Sequence, residues 1–178
     1  MNTVDRSQIL RFLRHMPVGA IYMTILLGPI CVFGITLGAS QPAAILSSLA
    51  FLGMIIYYWC QYANDHDRAE TTLSSVCRKY GEDVVCRNFG SAQHLCSKLY
   101  LGEQFLYSRQ GCCIISYDEI VSVHMLEGDA DSIDEMLCVT IRQESLVILN
   151  SCDPYFYRKI IHAIENRNPN FHAKRQHA

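Results

Sequence analysis

The residues of this chain best suited to redox or metal chemistry are its nine cysteines. Cys31 and Cys60 lie in long apolar runs. The other seven include no Cys-x-x-Cys pair, the spacing that zinc sites and thiol oxidoreductases use; they are Cys77, Cys86, Cys96, Cys112, Cys113, Cys138 and Cys152. Neighbouring strand residues point to opposite faces, so we expect one of Cys112 and Cys113 in a core. We interpret the cysteines as small apolar residues, with a thiol-based redox protein as an alternative.

Neither the histidines nor the acidic residues follow a metal-binding pattern. An acidic loop at 129–135 (DADSIDE) resembles a calcium loop, but Ile133 stands at a ligand position and Asp134 stands where glycine is required. We interpret this loop as a solvent-exposed hairpin tip. The histidines are scattered and show no His-x-His or His-Glu-x-x-His spacing; they include His66, His94, His124 and His162.

Signatures of catalysis are missing from the sequence as well. It has no Walker lysine, no Gly-x-Gly-x-x-Gly and no Ser-His-Asp series with recognisable flanks. We therefore predict that the protein is not an enzyme, and we assign no catalytic, cofactor-binding or metal-binding residue and no cofactor.

The distribution of charge divides the chain into two regions. Half of its 178 residues are hydrophobic and the net charge is −2, yet no Asp, Glu, Lys or Arg occurs in the 50 residues between Arg14 and Asp65. This composition argues against a disordered chain, a basic nucleic-acid-binding protein and a secreted disulfide-rich domain. It is typical of a small membrane-anchored protein.

Two apolar runs in the uncharged region are long enough to cross a membrane. Residues 17–38 would form a helix of about 33 Å and residues 43–62 one of about 30 Å, against a bilayer core of about 30 Å. Neither run has the charged face that a soluble amphipathic helix shows. The sequence predicts a transmembrane helical hairpin over 17–62.

The flanking charges predict the orientation of this hairpin. Arg6, Arg11 and Arg14 lie in a basic segment at 1–16, and further basic residues follow the second run. Basic flanks stay on the cytoplasmic side, so both termini are predicted to be cytoplasmic and the protein to lie in the cell inner membrane. Gly34 and Gly38 form one small-xxx-small pair, which leaves a homodimer open.

The region after the hairpin is predicted to be a mixed cytoplasmic domain. In a connector at 63–94, we expect one helix capped by Asp65 and ending near Tyr80 at Gly81, and a second over 82–93. Alternating apolar residues predict short strands containing Leu99 and Leu101, Phe105 and Tyr107, and Cys113 and Ile115, and longer strands at 120–126, 136–142 and 146–149.

A terminal helix is expected to begin with Pro154, capped by Asp153, and to stop at Asn168 and Pro169. Its apolar positions repeat at helical spacing and are Phe156, Ile160, Ile161 and Ile164. Residues 170–178 are predicted to be a disordered tail. These elements predict an α+β fold in which a small bent sheet or partly open barrel is capped by the last helix.

Three short motifs in this region resemble those of bacterial pleckstrin-homology-like domains found beside transmembrane hairpins. They are Leu-Gly-x-x-x-Leu at Leu101, Gly102 and Leu106, Ile-x-Tyr-x-x-Ile at Ile115, Tyr117 and Ile120, and Asn-Pro at Asn168 and Pro169. The resemblance implies a pleckstrin-homology-like domain at 95–169 in a membrane protein. It implies no catalytic residues.

The predicted function is a non-enzymatic module that binds a protein or peptide at the membrane. The first hairpin turn carries Glu103 and Gln104 without Lys or Arg, so we predict no phosphoinositide binding, and we predict no nucleic-acid partner. The tail carries Lys174 and Arg175, and two basic residues are too few to anchor it to an anionic membrane. An accessory subunit of a membrane transport or secretion complex is the alternative.

Overall fold

The structure is a computed structural model that describes residues 4–14, 18–37, 42–126, 136–141, 144–150, 154–169 and 171. In chain order its elements are α1 (Arg6–Leu13), α2 (Val18–Leu37), α3 (Pro42–Tyr80), α4 (Glu82–Gly90), β1 (Gln93–Cys96), β2 (Leu99–Leu101), β3 (Phe105–Ser108), β4 (Cys113–Ser116), a 3₁₀ turn (Tyr117–Glu119), β5 (Ile120–Leu126), β6 (Met136–Ile141), β7 (Glu144–Asn150) and α5 (Pro154–Glu165).

The chain forms two compact units. One is His15–Asp67, which we call the helical unit, and the other joins Met1–Arg14 to Arg68–Ala178, which we call the sheet unit. The protein has an α+β architecture with long N-terminal helices, two antiparallel sheets and a C-terminal helix, as the sequence predicted at this level.

The helical unit consists of α2 and the first part of α3, packed antiparallel. Trp59 donates a hydrogen bond from Nε1 to Thr24 Oγ1 at 3.0 Å, and further along the pair the Cys31 thiol lies 3.5 Å from the carbonyl oxygen of Ser48. The residues buried between the helices are mostly small, whereas large apolar residues are exposed. By length and composition, Val18–Thr36 and Ile45–Tyr80 could each cross a membrane, and only a small share of either is buried.

Helix α3 does not begin anew at Asp65, as the sequence had suggested. It is continuous from Pro42 to Tyr80, because no Gly or Pro occurs between Met54 and Tyr80 to interrupt it, so the predicted cap at Asp65 is wrong. The predicted end is correct. Gly81 has φ +91°, which residues with a side chain rarely adopt, and its N–H donates to the carbonyl of Cys77 at 2.9 Å.

A short N-terminal helix, α1, belongs to the sheet unit. This helix was not predicted, because residues 1–16 were interpreted only as a basic flank. Ile9 and Leu13, one turn apart, are fully buried, and Arg6 donates from Nη2 to Ser74 Oγ of α3 at 2.7 Å. Arg14 also forms a 3.2 Å ion pair with Glu70. The residues before the helical unit and those after it therefore fold together.

The first sheet has the order β1-β2-β3-β4 and is covered on both faces. Leu106 and Ile115, which are paired across β3 and β4, face an inner core shared with the second sheet and α5. Phe105 and Tyr107 face a helix-side core with α1, α3 and α4. The alternation of Phe105 and Tyr107 was predicted, but the second core that they face was not. Both faces of the sheet are apolar because both are buried.

The second sheet, β5-β6-β7, closes the inner core together with α5. The predicted strand at 120–126 matches β5, and the other two predictions differ from β6 and β7 by one or two residues. Ser108 Oγ donates to the carbonyl of Ile148 at 2.7 Å and joins β3 to β7 at one corner. A Cβ on Gly111 would lie 2.7 Å from the carbonyl oxygen of Val147, which explains glycine in this turn.

The observed ends of α4 and α5 agree only in part with the predicted ones. The helix expected at 82–93 ends at Gly90, and β1 follows it, a strand that the sequence analysis missed. Helix α5 begins at Pro154 as predicted and buries Ile160 and Ile164 in the inner core. The predicted cap at Asp153 and all of the predicted tail at 170–178 except Phe171 lie outside the described residues. Phe171 is buried in the inner core.

A basic groove as the candidate functional site

The structure separates the residues that the sequence analysis considered for redox and metal chemistry. Cys112 and Cys113 are both buried, in the helix-side and inner cores respectively, so they do face opposite ways. Burial raises the pKa of the Cys86 and Cys138 thiols, which disfavours the reactive thiolate. Within the described residues, no three His, Cys, Asp or Glu side chains are grouped to hold a metal. Cys152 and the acidic loop at 129–135 lie outside that part.

The motif residues that suggested a family meet at one corner of the sheet unit. The hydroxyl of Tyr117 donates to the carbonyl of Gly102 at 3.2 Å. Asn168 donates from Nδ2 to the carbonyls of Tyr117 at 2.8 Å and Ile120 at 3.2 Å. The guanidinium of Arg167 lies 5.3 Å from the centre of the Tyr117 ring. These contacts fasten the end of α5 to both sheets, so the motifs are structural.

Burial also governs the chemistry of the tyrosines at this corner and beside it. The pKa of Tyr117 is raised to about 12, chiefly because burial disfavours the phenolate, although Arg167 acts in the opposite direction. Burial raises the pKa of Tyr107 as well, and its hydroxyl donates to the carbonyl of Val85 at 3.1 Å. Both phenols are therefore neutral hydrogen-bond donors near neutral pH.

The first hairpin turn, between β2 and β3, is occupied by a side chain from α4. With its amide oxygen towards the turn, Asn88 accepts hydrogen bonds from the backbone N–H groups of Gln104 at 3.0 Å and Glu103 at 3.2 Å. The Asn88 amide leaves no space for a Cβ on Gly102. These two backbone donors are thus already used within the protein.

A groove between α5 and the edge of the first sheet forms a concave surface with room for a ligand. It encloses about 470 Å³, which falls in the range of about 300 to 1,000 Å³ typical of ligand sites. Leu95, Leu101 and Ala163 supply its apolar part. The remaining lining residues are Gln93, Tyr155, Arg158, Lys159, His162 and Arg167.

The strand β1 forms one side of this groove. It pairs with β2 alone among the described strands, so its other edge is the edge of the sheet. The pairing shifts between His94 and Cys96, which leaves Leu95 in a bulge. Because a bulge changes the direction of a side chain, Leu95 can line the groove together with Gln93.

The other side of the groove is the basic face of α5. Arg158 and Lys159 are exposed, and Lys159 Nζ lies 4.5 Å from the centre of the Tyr155 ring. Arg167 is more engaged, since it donates from Nη1 to the carbonyl of Ala163 at 3.1 Å and also covers Tyr117. Among the described residues, no Asp or Glu lines the groove. The groove therefore attracts negative charge.

A second cavity, of about 400 Å³, has a mixed lining and a weaker case for binding. Glu103 and Asp118 oppose Arg167 within it, so it has no marked charge preference. Beside it, Lys79 forms an ion pair with Glu119.

The groove was not predicted from the sequence, where basic residues were considered only in the first hairpin turn and in the tail. The available signal was the polar face of α5, where Arg158 and His162 are one helical turn apart. The contribution of β1 had no comparable signal, since that strand was not recognised.

Comparison with known proteins gives no relative for this chain. No family model, no curated protein and no solved structure matches it.

Proposed function

We propose that the protein is an integral membrane protein in which α2 and α3 form a transmembrane hairpin, and that the sheet unit is a pleckstrin-homology-like domain that binds a protein or peptide without catalysing a reaction. The membrane part of the proposal is supported by the exposed large apolar residues on both helices, among them Ile25, Phe33 and Leu46. In water such a surface would be unfavourable, whereas lipid tails would solvate it.

One observation carries the topology of the proposal: α1 and the last part of α3 share the helix-side core. Ile9 and Leu13 precede the first apolar run, and Ala69 and Leu73 follow the second, yet all four are buried in that core. Segments that fold together must lie on the same side of a membrane. An even number of crossings between them satisfies this requirement, and the basic residues of both segments favour the cytoplasmic side.

The domain assignment is supported by the arrangement of strands. A four-stranded and a three-stranded antiparallel sheet enclose one core, and a C-terminal helix closes it, which fits the partly open barrel implied by the motif resemblance. The contacts of Tyr117 and Asn168 give those motifs a common structural purpose. The groove between β1 and α5 provides the place for a partner.

The topology can be tested in intact cells and spheroplasts with a C-terminal epitope tag. We expect the protein to resist extraction by alkaline carbonate, and its sheet unit to be digested by added protease only after the membrane is permeabilised. Digestion from outside, or release without detergent, would contradict the proposal. Crosslinking in cells, followed by mass spectrometry of peptides joined to the groove, would then identify the partner.

A second candidate function is supported by the same exposed helices. Large apolar side chains on α2 and α3 could also pack against spans of a transport or secretion complex, in which this chain would be an accessory subunit. Extraction in a mild detergent distinguishes the two. If residues 15–67 with a carrier domain in place of the sheet unit still migrate in a large complex, the accessory-subunit function is favoured.

A further inference from the structure

We propose that the groove between β1 and α5 binds an acidic, extended peptide segment of the membrane partner. This inference rests on the proposed interaction function and adds to it the chemistry of the ligand. The groove is concave, partly apolar and bordered by a sheet edge, and no described Asp or Glu lines it. Of its basic residues, Arg167 also faces the carboxylates of the second cavity, whereas Arg158 and Lys159 do not line that cavity.

The charge of the groove is available to a ligand. Arg158 is exposed and makes no hydrogen bond or ion pair within the described part of the chain. Lys159 contacts the ring of Tyr155, which leaves its ammonium donors open to carboxylates. Arg167 adds positive charge at the far end of the groove from a position already fixed by hydrogen bonding. A carboxylate on each of two alternate peptide residues could therefore pair with α5.

The apolar floor and the sheet edge favour a peptide of extended conformation. Leu95 and Leu101 offer contacts for an apolar side chain between the acidic ones. The outer edge of β1, which no described strand pairs with, presents backbone N–H and C=O groups at the border of the groove, and an added strand can pair with them. Since β1 has four residues and a bulge, the pairing would be short.

An anionic membrane surface is a less suitable ligand for the same charges. Each basic residue contributes about 1 kcal/mol at such a surface, and the groove holds two exposed ones besides the engaged Arg167. Its cations also border a concave surface with an apolar floor, whereas a bilayer would contact a convex or flat face most fully. Vesicle binding is therefore the competing outcome of the test.

The experiment uses the full chain in nanodiscs of phosphatidylcholine, so that lipid charge does not compete. A phage-displayed library of random peptides is selected against it, and enriched peptides are measured by fluorescence anisotropy. We expect enriched sequences to be acidic with interspersed apolar residues. The double variant Arg158→Glu with Lys159→Glu should weaken their binding by more than about tenfold.

A matched control changes the same amount of charge elsewhere on the sheet unit. Arg78 and Lys98 are exposed and lie outside the groove, so Arg78→Glu with Lys98→Glu should leave peptide binding within about twofold. Peptides with Lys in place of each Glu should bind the groove variant better than the original chain does. This gain of binding excludes a variant that has merely lost its fold.

Three results would overturn the inference. One is enrichment of neutral or basic peptides, or of none. Another is an equal loss of acidic-peptide affinity in the control variant and in the groove variant, because the peptides would then respond to the net charge of the domain and not to the groove. The last concerns an anionic membrane surface. The full chain in phosphatidylcholine nanodiscs would float together with phosphatidylglycerol vesicles, and the Arg158→Glu, Lys159→Glu variant would not. None of these results changes the carbonate and protease tests, so the proposed membrane topology would stand or fall separately.

Discussion

Most large apolar side chains that the structure describes in the helical unit are exposed, whereas most of those in the sheet unit are buried. Phe33 of α2 is 67% exposed, and Phe105 of β3 is fully buried. The residues between α2 and α3 are mostly small or polar, such as Ala20 and Ser48. This inverse distribution is what the proposed function implies, in which lipid surrounds the helical unit and water surrounds the sheet unit. Burial of apolar area organises the sheet unit, and close helix packing organises the helical unit.

The largest expected difference is between the same substitution at the two phenylalanines. Phe105→Ala should lower the free energy of unfolding of the sheet unit by about 3 to 5 kcal/mol, since it leaves a cavity in the helix-side core. Phe33→Ala should leave that unit unchanged. Hydrogen exchange of the sheet unit, measured by mass spectrometry on the full chain in micelles, reports both values. Equal effects of the two substitutions would contradict the division into units.

A lysine introduced at two valines of similar exposure should have different effects in the two units. Val32 is 64% exposed on α2 and Val121 is 57% exposed on β5. If lipid surrounds Val32, Val32→Lys costs up to about 2.5 to 3.5 kcal/mol of insertion free energy. Val121→Lys should change stability by less than about 0.5 kcal/mol, because water surrounds it.

Insertion of these variants can be read from the fraction that resists carbonate extraction. We expect this fraction to fall for Val32→Lys and to match the original chain for Val121→Lys. If both variants remain fully membrane-bound and equally stable, then the exposed surface of α2 does not face lipid. The comparison between the units would then lose its explanation.

Sequence patterns predicted the helices of the helical unit more completely than the elements of the sheet unit. The apolar runs were evident because a membrane-spanning segment needs length and lack of charge, which are visible without knowledge of tertiary contacts. In the sheet unit, β5 and the start of α5 followed from alternation and from Pro154. The helix α1 was missed because its eight residues are too short for a reliable pattern, and its stability depends on contacts with distant residues such as Ser74.

The candidate site was harder to predict than the fold for a related reason. The groove combines Gln93 and Leu95 of β1 with Arg158 of α5, which are about sixty positions apart in the chain. No local pattern links them. The motif residues Tyr117 and Asn168 were noticed in sequence, but their hydrogen bonds and structural role required the folded arrangement.

Alkaline pH should destabilise the sheet unit through its buried phenols. The pKa of Tyr117 is about 12 in the folded state against 10.0 for an ordinary tyrosine, so between these values the folded state binds more protons than the unfolded state. Stability is complete below pH 10 and falls as pH rises. Since one pKa unit corresponds to about 1.4 kcal/mol, the loss attributable to Tyr117 is roughly 2 to 3 kcal/mol.

Urea unfolding followed by circular dichroism at pH 9, 11 and 12 measures this loss on the full chain in micelles. Tyr117→Phe should unfold with a smaller decrease over that range, because one ionisable phenol is removed while Tyr107 remains. A decrease of the same size in the variant would show that Tyr117 does not ionise with unfolding. It would place the alkaline sensitivity elsewhere in the unit.

The smallest effects are expected from the buried polar contacts, and they too should differ between the units. Asn168→Ala removes the donor to the carbonyls of Tyr117 and Ile120 and should cost the sheet unit about 1 to 3 kcal/mol. Thr24→Ala removes the acceptor of the Trp59 indole and should cost about 0.6 kcal/mol, the typical value for helices in lipid. Hydrogen exchange measures the first value.

The fluorescence of Trp59, the one tryptophan of the chain, measures the second during titration with a denaturing detergent. A hydrogen bond between helices in lipid contributes little, because the separated helices can pair their polar groups in other ways within the same membrane. In the sheet unit, unfolding exposes the carbonyls to water. Folding without Asn168 leaves the Tyr117 carbonyl with the Ile120 N–H as its remaining donor and removes the Asn168 donor from the buried Ile120 carbonyl. A cost for Thr24→Ala as large as that for Asn168→Ala would therefore mean that the helical unit also unfolds into water, and the inverse distribution of its side chains would need another cause.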